Sequence, residues 1–258
     1  MNNKILLSSV LGVLVGIATN TAFAEGAEEK NVYKELEEKG ISIGGLSDSP
    51  HRDINDVELS EAEILLWETD QLKNIMKPTI IRYEFERKSQ MDDGFTDSVE
   101  LDVYKIKDDG MKSASVTFFT GDRNQMVPPN ENTNGNPILG IYLQGDVYEM
   151  NRLTEGNWRY FHRRIKFALS EAAEIEPVTF SVDGKEYQGK KVTITPYEND
   201  PKRKMFEEYA DKIYEVIVSE EIPGMLYQIQ TIVPAKKDAQ TAEPVMVETL
   251  VFAGAEVS

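Results

Sequence analysis

The sequence predicts an α+β protein in which a large curved antiparallel sheet, resembling an incomplete β-barrel, packs its apolar face on central helices. Three observations predict it. Alternating apolar and polar runs separated by Asp-Gly pairs fill residues 79–118, the pattern of an antiparallel meander with one buried face. Two segments of helical apolar spacing follow over 137–172, and five strand-like runs then extend to Phe252. Strands and helices come in blocks rather than in alternation, so a parallel doubly wound sheet is disfavoured.

In chain order, Met1–Ala24 reads as a secretory signal peptide. Lys4 is its only charge, Ile5 to Ala18 is apolar, and Ala22-Phe23-Ala24 has the form a signal peptidase cuts. The apolar run is short of the ~20 residues that span a bilayer, so cleavage before Glu25 is expected. Residues 25–58 form a Glu-, Gly- and Ser-rich leader with a short helix expected at Glu28–Glu38, and residues 59–258 form one domain. Ser60 with Glu63 makes a capping box, and Ile64, Leu65, Trp67, Leu72 and Ile75 give the helix an apolar face until Pro78 ends it.

Strands are expected at Thr79–Lys88, about Val99–Val103 and Ala114–Phe118, with Asp93-Gly94 and Asp109-Gly110 as type I′ hairpin turns. Gly121–Asn136 reads as a polar loop. Asn136-Pro137 then starts a helix bearing Leu139, Leu143, Val147, Met150 and Leu153. Glu155-Gly156 breaks it, and a second helix from Asn157 buries Trp158, Phe161, Ile165, Leu169 and Ala172. Further strands are expected at Val178–Val182, Val192–Tyr197, Ile213–Val218, Leu226–Val233 and Val245–Phe252, with a short helix at Arg203–Ala210 and a type II turn at Pro223-Gly224.

Composition narrows the function classes. Without Lys4, 27 Lys+Arg stand against 45 Asp+Glu, a net charge of about −18, which disfavours nucleic acid and broad contact with anionic lipid. No second apolar stretch reaches membrane-spanning length, so an integral membrane protein is not expected after cleavage. The absence of cysteine excludes thiol nucleophiles, Cys-ligated metals and a lipidated N-terminal Cys, and leaves stability to the core. The periplasm is the expected location, with secretion beyond the cell as the alternative.

Catalytic motifs are weak. His162, one of two histidines, reads as a structural residue at a helix edge, and His51 lies in the leader. Gly40-Ile41-Ser42-Ile43-Gly44 matches the nucleophile-elbow pattern, but no strong strand precedes it and no helix follows directly. Asn130–Gly135 copies half of a calcium loop, yet Ile141 stands where a bidentate Glu is required; Asp53, Asn55 and Asp56 fail similarly, at Val57 and Glu58. No metal and no cofactor are expected. Arg152, Arg159, Arg163 and Arg164, with Lys166, concentrate positive charge where an anion or an acidic partner could bind, or where the protein's own acids pair with them.

The signal peptide, the meander, the central helices and the Ile222-Pro223-Gly224 turn before two long strands resemble the periplasmic lipoprotein-carrier architecture over about residues 60–253. Gly135-Asn136-Pro137 through Tyr160-Phe161-His162-Arg163-Arg164-Ile165 also resembles part of an uncharacterised exported proteobacterial family, which implies no activity. The expected function is a soluble, non-catalytic envelope protein that binds an apolar or lipid-like ligand, with Tyr83, Phe85, Leu143, Val147, Trp158 and Phe161 as candidate lining residues. A protein-interaction or assembly factor of the envelope is the alternative, and an enzyme using His162 or Ser42 the third.

Overall fold

The computed structural model describes residues 59–235 and 243–258, and from Ser60 onward these belong to one compact unit. The expected signal peptide and leader, with Ser42, His51 and Asp53, lie outside the described residues.

Ten strands form one antiparallel sheet: β1 (Thr79–Ser89), β2 (Phe95–Ile106), β3 (Lys112–Phe118), β4 (Gln125–Met126), β5 (Asn130–Thr133), β6 (Glu174–Val182), β7 (Lys185–Ile194), β8 (Ile213–Val218), β9 (Leu226–Val233) and β10 (Met246–Val257). Their spatial order is β4-β3-β2-β1-β10-β9-β8-β7-β6, with β5 also paired to β3. The first long strand therefore meets the last at the centre, paired from Thr79↔Val257 to Ser89↔Met246 with a bulge between Arg82 and Tyr83. The two outer strands do not pair, so the sheet is not closed into a barrel, in keeping with the incomplete barrel that the resemblance implies.

Alternation sets the faces. Ile81, Tyr83 and Phe85 of β1 are buried, as are Leu250 and Phe252 of β10 and Ile229 and Val233 of β9. A fully buried side chain of this kind stabilises by about 1.5–3 kcal/mol. Helices α2 (Pro137–Thr154) and α3 (Trp158–Glu171) connect the half-sheet β1–β5 to the half-sheet β6–β10. Asn136 and Asn157 cap them, their side chains accepting from Ile138 N and Arg159 N, and Pro137 occupies the first turn of α2.

Several expectations need correction. The helix from Ser60 is one turn, α1 (Glu61–Glu63), that widens into a π-helical turn at Ile64–Glu68. The chain turns extended at Thr69, whose N–H and hydroxyl both donate to Ile64 O. Leu72 and Ile75 are still buried, but on turns, and Leu72 N donates to Asn134 O. Ile64 and Trp67 face outward, while Ala62 and Leu66 face the core.

Only Asp183-Gly184 has positive φ at both residues (50° and 78°) and makes the two-residue type I′ hairpin. At the other two Asp-Gly pairs only the glycine is positive. Gly110 N closes a turn onto Lys107 O, and a Cβ on Gly94 would lie 2.3 Å from Arg87 O. The Gly121–Asn136 loop contains the short strands β4 and β5, which pair with β3. The segment from Arg203 forms two 3-10 turns, Arg203–Met205 and Glu207–Asp211, and Ala168 takes the buried place expected of Ala172. β7 lies earlier than expected and leaves Tyr197 on the following turn.

Candidate ligand site between the helices and the sheet

Helix α2 carries the contacts that tie the helical layer to the sheet. At its start, Asn136 Oδ1 accepts from Ile138 N, while Nδ2 donates to Tyr83 OH (2.9 Å) and Gly224 O (3.0 Å). Asn136 N donates to Gln71 Oε1 at 2.7 Å, and Gln71 Nε2 donates to Leu66 O. The type II turn at Pro223-Gly224 closes with Met225 N on Ile222 O, and Gly224 has φ 74°. A Cβ there would lie 2.8 Å from Ile81 Cδ1, so the glycine permits this close approach.

Further along α2, Asp146 points into the core. It accepts from Lys212 Nζ and from Tyr214 OH (2.6 Å), and Tyr214 OH lies 3.2 Å from Tyr197 OH. Lys212, just before β8, has only 1 % of its side chain exposed. Burial alone would lower its pKa, but the nearby carboxylates of Asp146, Glu248 and Glu149 raise it above the ordinary value.

A second group adjoins it. Arg87 of β1 donates through Nη1 to Glu149 of α2 (2.8 Å) and Glu248 of β10 (3.0 Å), and through Nη2 to Asp92 (2.9 Å). Thr231 Oγ1 donates to the other Glu248 oxygen at 3.1 Å and lies 3.3 Å from Tyr142 OH. Arg87 Nε is buried without a hydrogen-bond partner. Burial pushes the Glu248 carboxyl up, and Glu149 and Asp146 add to this despite Lys212 and Arg87. Burial also pushes Glu149 up, but Arg87 and Lys212 outweigh it and hold the group below the usual range.

These opposite directions predict the pH dependence. Glu149 contributes stability above its unfolded value near 4.5, and the contribution is lost as pH falls through its lower folded value. Glu248 behaves oppositely, losing stability as pH rises above ~4.5 through its raised folded value. Glu248→Gln is therefore expected to reduce the slope with which the urea midpoint falls as pH rises above ~4.5. An unchanged slope would show that Glu248 does not titrate as its surroundings dictate.

The six candidate lining residues belong to one continuous core, spread over β1, α2 and α3. Tyr83 packs edge-on against Phe252, Phe161 edge-on against Tyr160, Tyr197 and Phe206, and Phe85 at a tilt against Phe95 and Phe119. Trp158 packs on Tyr148; Val147 is buried, whereas Leu143 and Trp158 are half-buried. The arginines separate. Arg164 turns inward to Asp200 (2.7 Å) and Pro196 O, Arg152 lies 3.4 Å from Glu149, Arg159 lies over the Trp158 ring, and Arg163 is exposed. His162 is also exposed, and partial desolvation followed by Lys166 and Arg163 lowers its pKa. Among the described residues no group of His, Asp or Glu is arranged to hold a metal ion.

The buried charged residues match no sequence motif, although the sequence carries a signal for them. Arg87 continues the Ile81-Tyr83-Phe85 alternation, Glu248 lies between Met246 and Leu250, and Asp146 lies four residues after Tyr142 and before Met150. Each is a charged residue in apolar register, which burial makes costly unless it is paired.

The fold and site define an α+β protein with an unclosed antiparallel sheet and a helical cover. No family model matches the chain, and no curated protein matches it. Among solved structures, the Mycobacterium tuberculosis lipoprotein LppX is similar at TM-score 0.29 and 10% identity, over 75% of this chain and 94% of that one. A LolA superfamily protein from Nitrosomonas europaea is similar at TM-score 0.22 and 10% identity, over 78% of this chain and 94% of that one. Likenesses at this level assign neither ligand nor activity.

Proposed function

We propose that the protein is an exported, non-catalytic envelope protein that holds an apolar, lipid-like ligand between the sheet and its helical cover. One observation carries the reading. The apolar face of an unclosed sheet is covered by helices, of which α2 is joined to it through side chains at Asn136, Tyr142, Asp146 and Glu149. Helices satisfy their backbone hydrogen bonds internally, so shifting the cover disturbs side-chain contacts and leaves both backbones paired. The surface so uncovered suits an acyl chain, lined by Tyr83, Phe85, Leu143, Val147, Trp158 and Phe161. Among the described residues no helix is long and apolar enough to cross a membrane.

Native mass spectrometry of the mature protein from its own periplasm, followed by solvent extraction, tests the reading. A reproducible lipid-sized adduct supports it. A clean apo mass that also fails to take up added lipid overturns it. Leu143→Glu places a charge on this surface at a half-buried position and is expected to weaken lipid uptake at least about tenfold, equivalent to ~1.4 kcal/mol. Unchanged uptake would place the ligand elsewhere.

A further inference from the structure

We infer that the outward face of α3, formed by Arg159, Arg163 and Lys166 with Phe167 at its edge, docks on an anionic phospholipid bilayer. The helix sequence from Trp158 contains no acid before Glu171, although the whole chain carries a net charge of −17. Positions 159, 163 and 166 recur at helical spacing, opposite the buried Phe161, Ile165, Ala168 and Leu169. They form a stripe about 10 Å long at 1.5 Å per residue. Among the described residues neither Arg159 nor Lys166 is ion-paired; Arg159 stacks over Trp158 at 4.5 Å.

The inner side of the helix is anchored. Arg164 pairs with the buried carboxylate of Asp200, which also accepts from Tyr160 OH. Phe167 is 53% exposed and lies on the same helix edge as Tyr160 and Arg164. Lys202, on the adjoining turn, places its ammonium over the Tyr160 ring, and the Arg164 guanidinium lies over the Phe167 ring at 5.5 Å.

Charge complementarity selects an anionic surface, and the exposed aromatic among cations selects a bilayer over an acidic protein. Arg and Lys bind lipid phosphates at headgroup level while an aromatic ring enters the interface. The acidity of the rest of the molecule repels other approaches and orients this face toward the membrane.

The test uses the full mature chain and flotation with vesicles of mixed phosphatidylglycerol and phosphatidylcholine, or of phosphatidylcholine alone. Binding is expected only with phosphatidylglycerol. It should fall at least about fivefold between 0.1 M and 1 M salt, as the screening length drops from ~10 to ~3 Å. Arg159→Glu/Lys166→Glu is expected to reduce flotation at least about tenfold, since each surface-facing cation contributes to attraction, while the thermal midpoint stays unchanged. Absence of flotation at low salt, equal binding to neutral vesicles, or full binding by the double variant overturns the proposal. Loss of cross-linking to an acidic protein in that variant, without vesicle binding by the parent, overturns it in favour of a protein partner. Failure of the ligand reading is separable: a floating protein with no adduct refutes the carrier alone, and a lipid-loaded protein that does not float refutes this surface alone.

Discussion

Lys212→Met is expected to lower the unfolding free energy by about 3–5 kcal/mol, because removing one partner strands the other charge in the core. Asp146 would keep the Tyr214 hydroxyl but lose its cation, and Lys212 also helps Arg87 to offset the charges of Glu248 and Glu149. The paired change Lys212→Met/Asp146→Leu removes both charges and is expected to cost far less than the sum of the single changes, since apolar replacement of a buried pair is often close to neutral. Urea denaturation of the four proteins forms a double-mutant cycle that isolates the pairwise energy. A single-variant cost below ~1 kcal/mol would mean that water or a shifted side chain already neutralises Asp146.

Much of this architecture is legible in local chemistry. The bounds of β8 and β9 follow from alternation, and the starts of α2 and α3 follow from Asn136-Pro137 and Asn157. These features depend on a few neighbouring residues. The β1–β10 pairing at the sheet centre joins residues far apart in sequence, and no local pattern in either strand names its partner. The helix expected over 60–77 fails for a related reason. Its apolar spacing is satisfied by turns, and one of their hydrogen bonds, Leu72 N on Asn134 O, is made with a distant segment. Element type at the site is therefore readable, while the charged contacts between Arg87, Glu149, Glu248, Asp146 and Lys212 require the assembled sheet to bring them together.

Asn136→Ala is expected to destabilise by about 2–4 kcal/mol, combining a lost helix cap of ~1 kcal/mol with the stranding of buried polar groups. Its side chain joins α2, Tyr83 of β1 and the Gly224 turn at one buried point, so no single replacement restores all three contacts. Asn136→Asp keeps an acceptor for Ile138 N and places negative charge favourably at a helix start. It nevertheless sets an acceptor against Gly224 O, and only the protonated carboxyl can donate there. Asn136→Asp should therefore recover part of the loss, and recover more as pH falls through its folded pKa. Tyr83→Phe supplies the complementary test. Its coupling to Asn136→Ala is expected at about 0.5–3 kcal/mol, as for neighbours in one hydrogen-bond network. Strict additivity would show that Asn136 acts only as a helix cap and that the join between helix and sheet lies elsewhere.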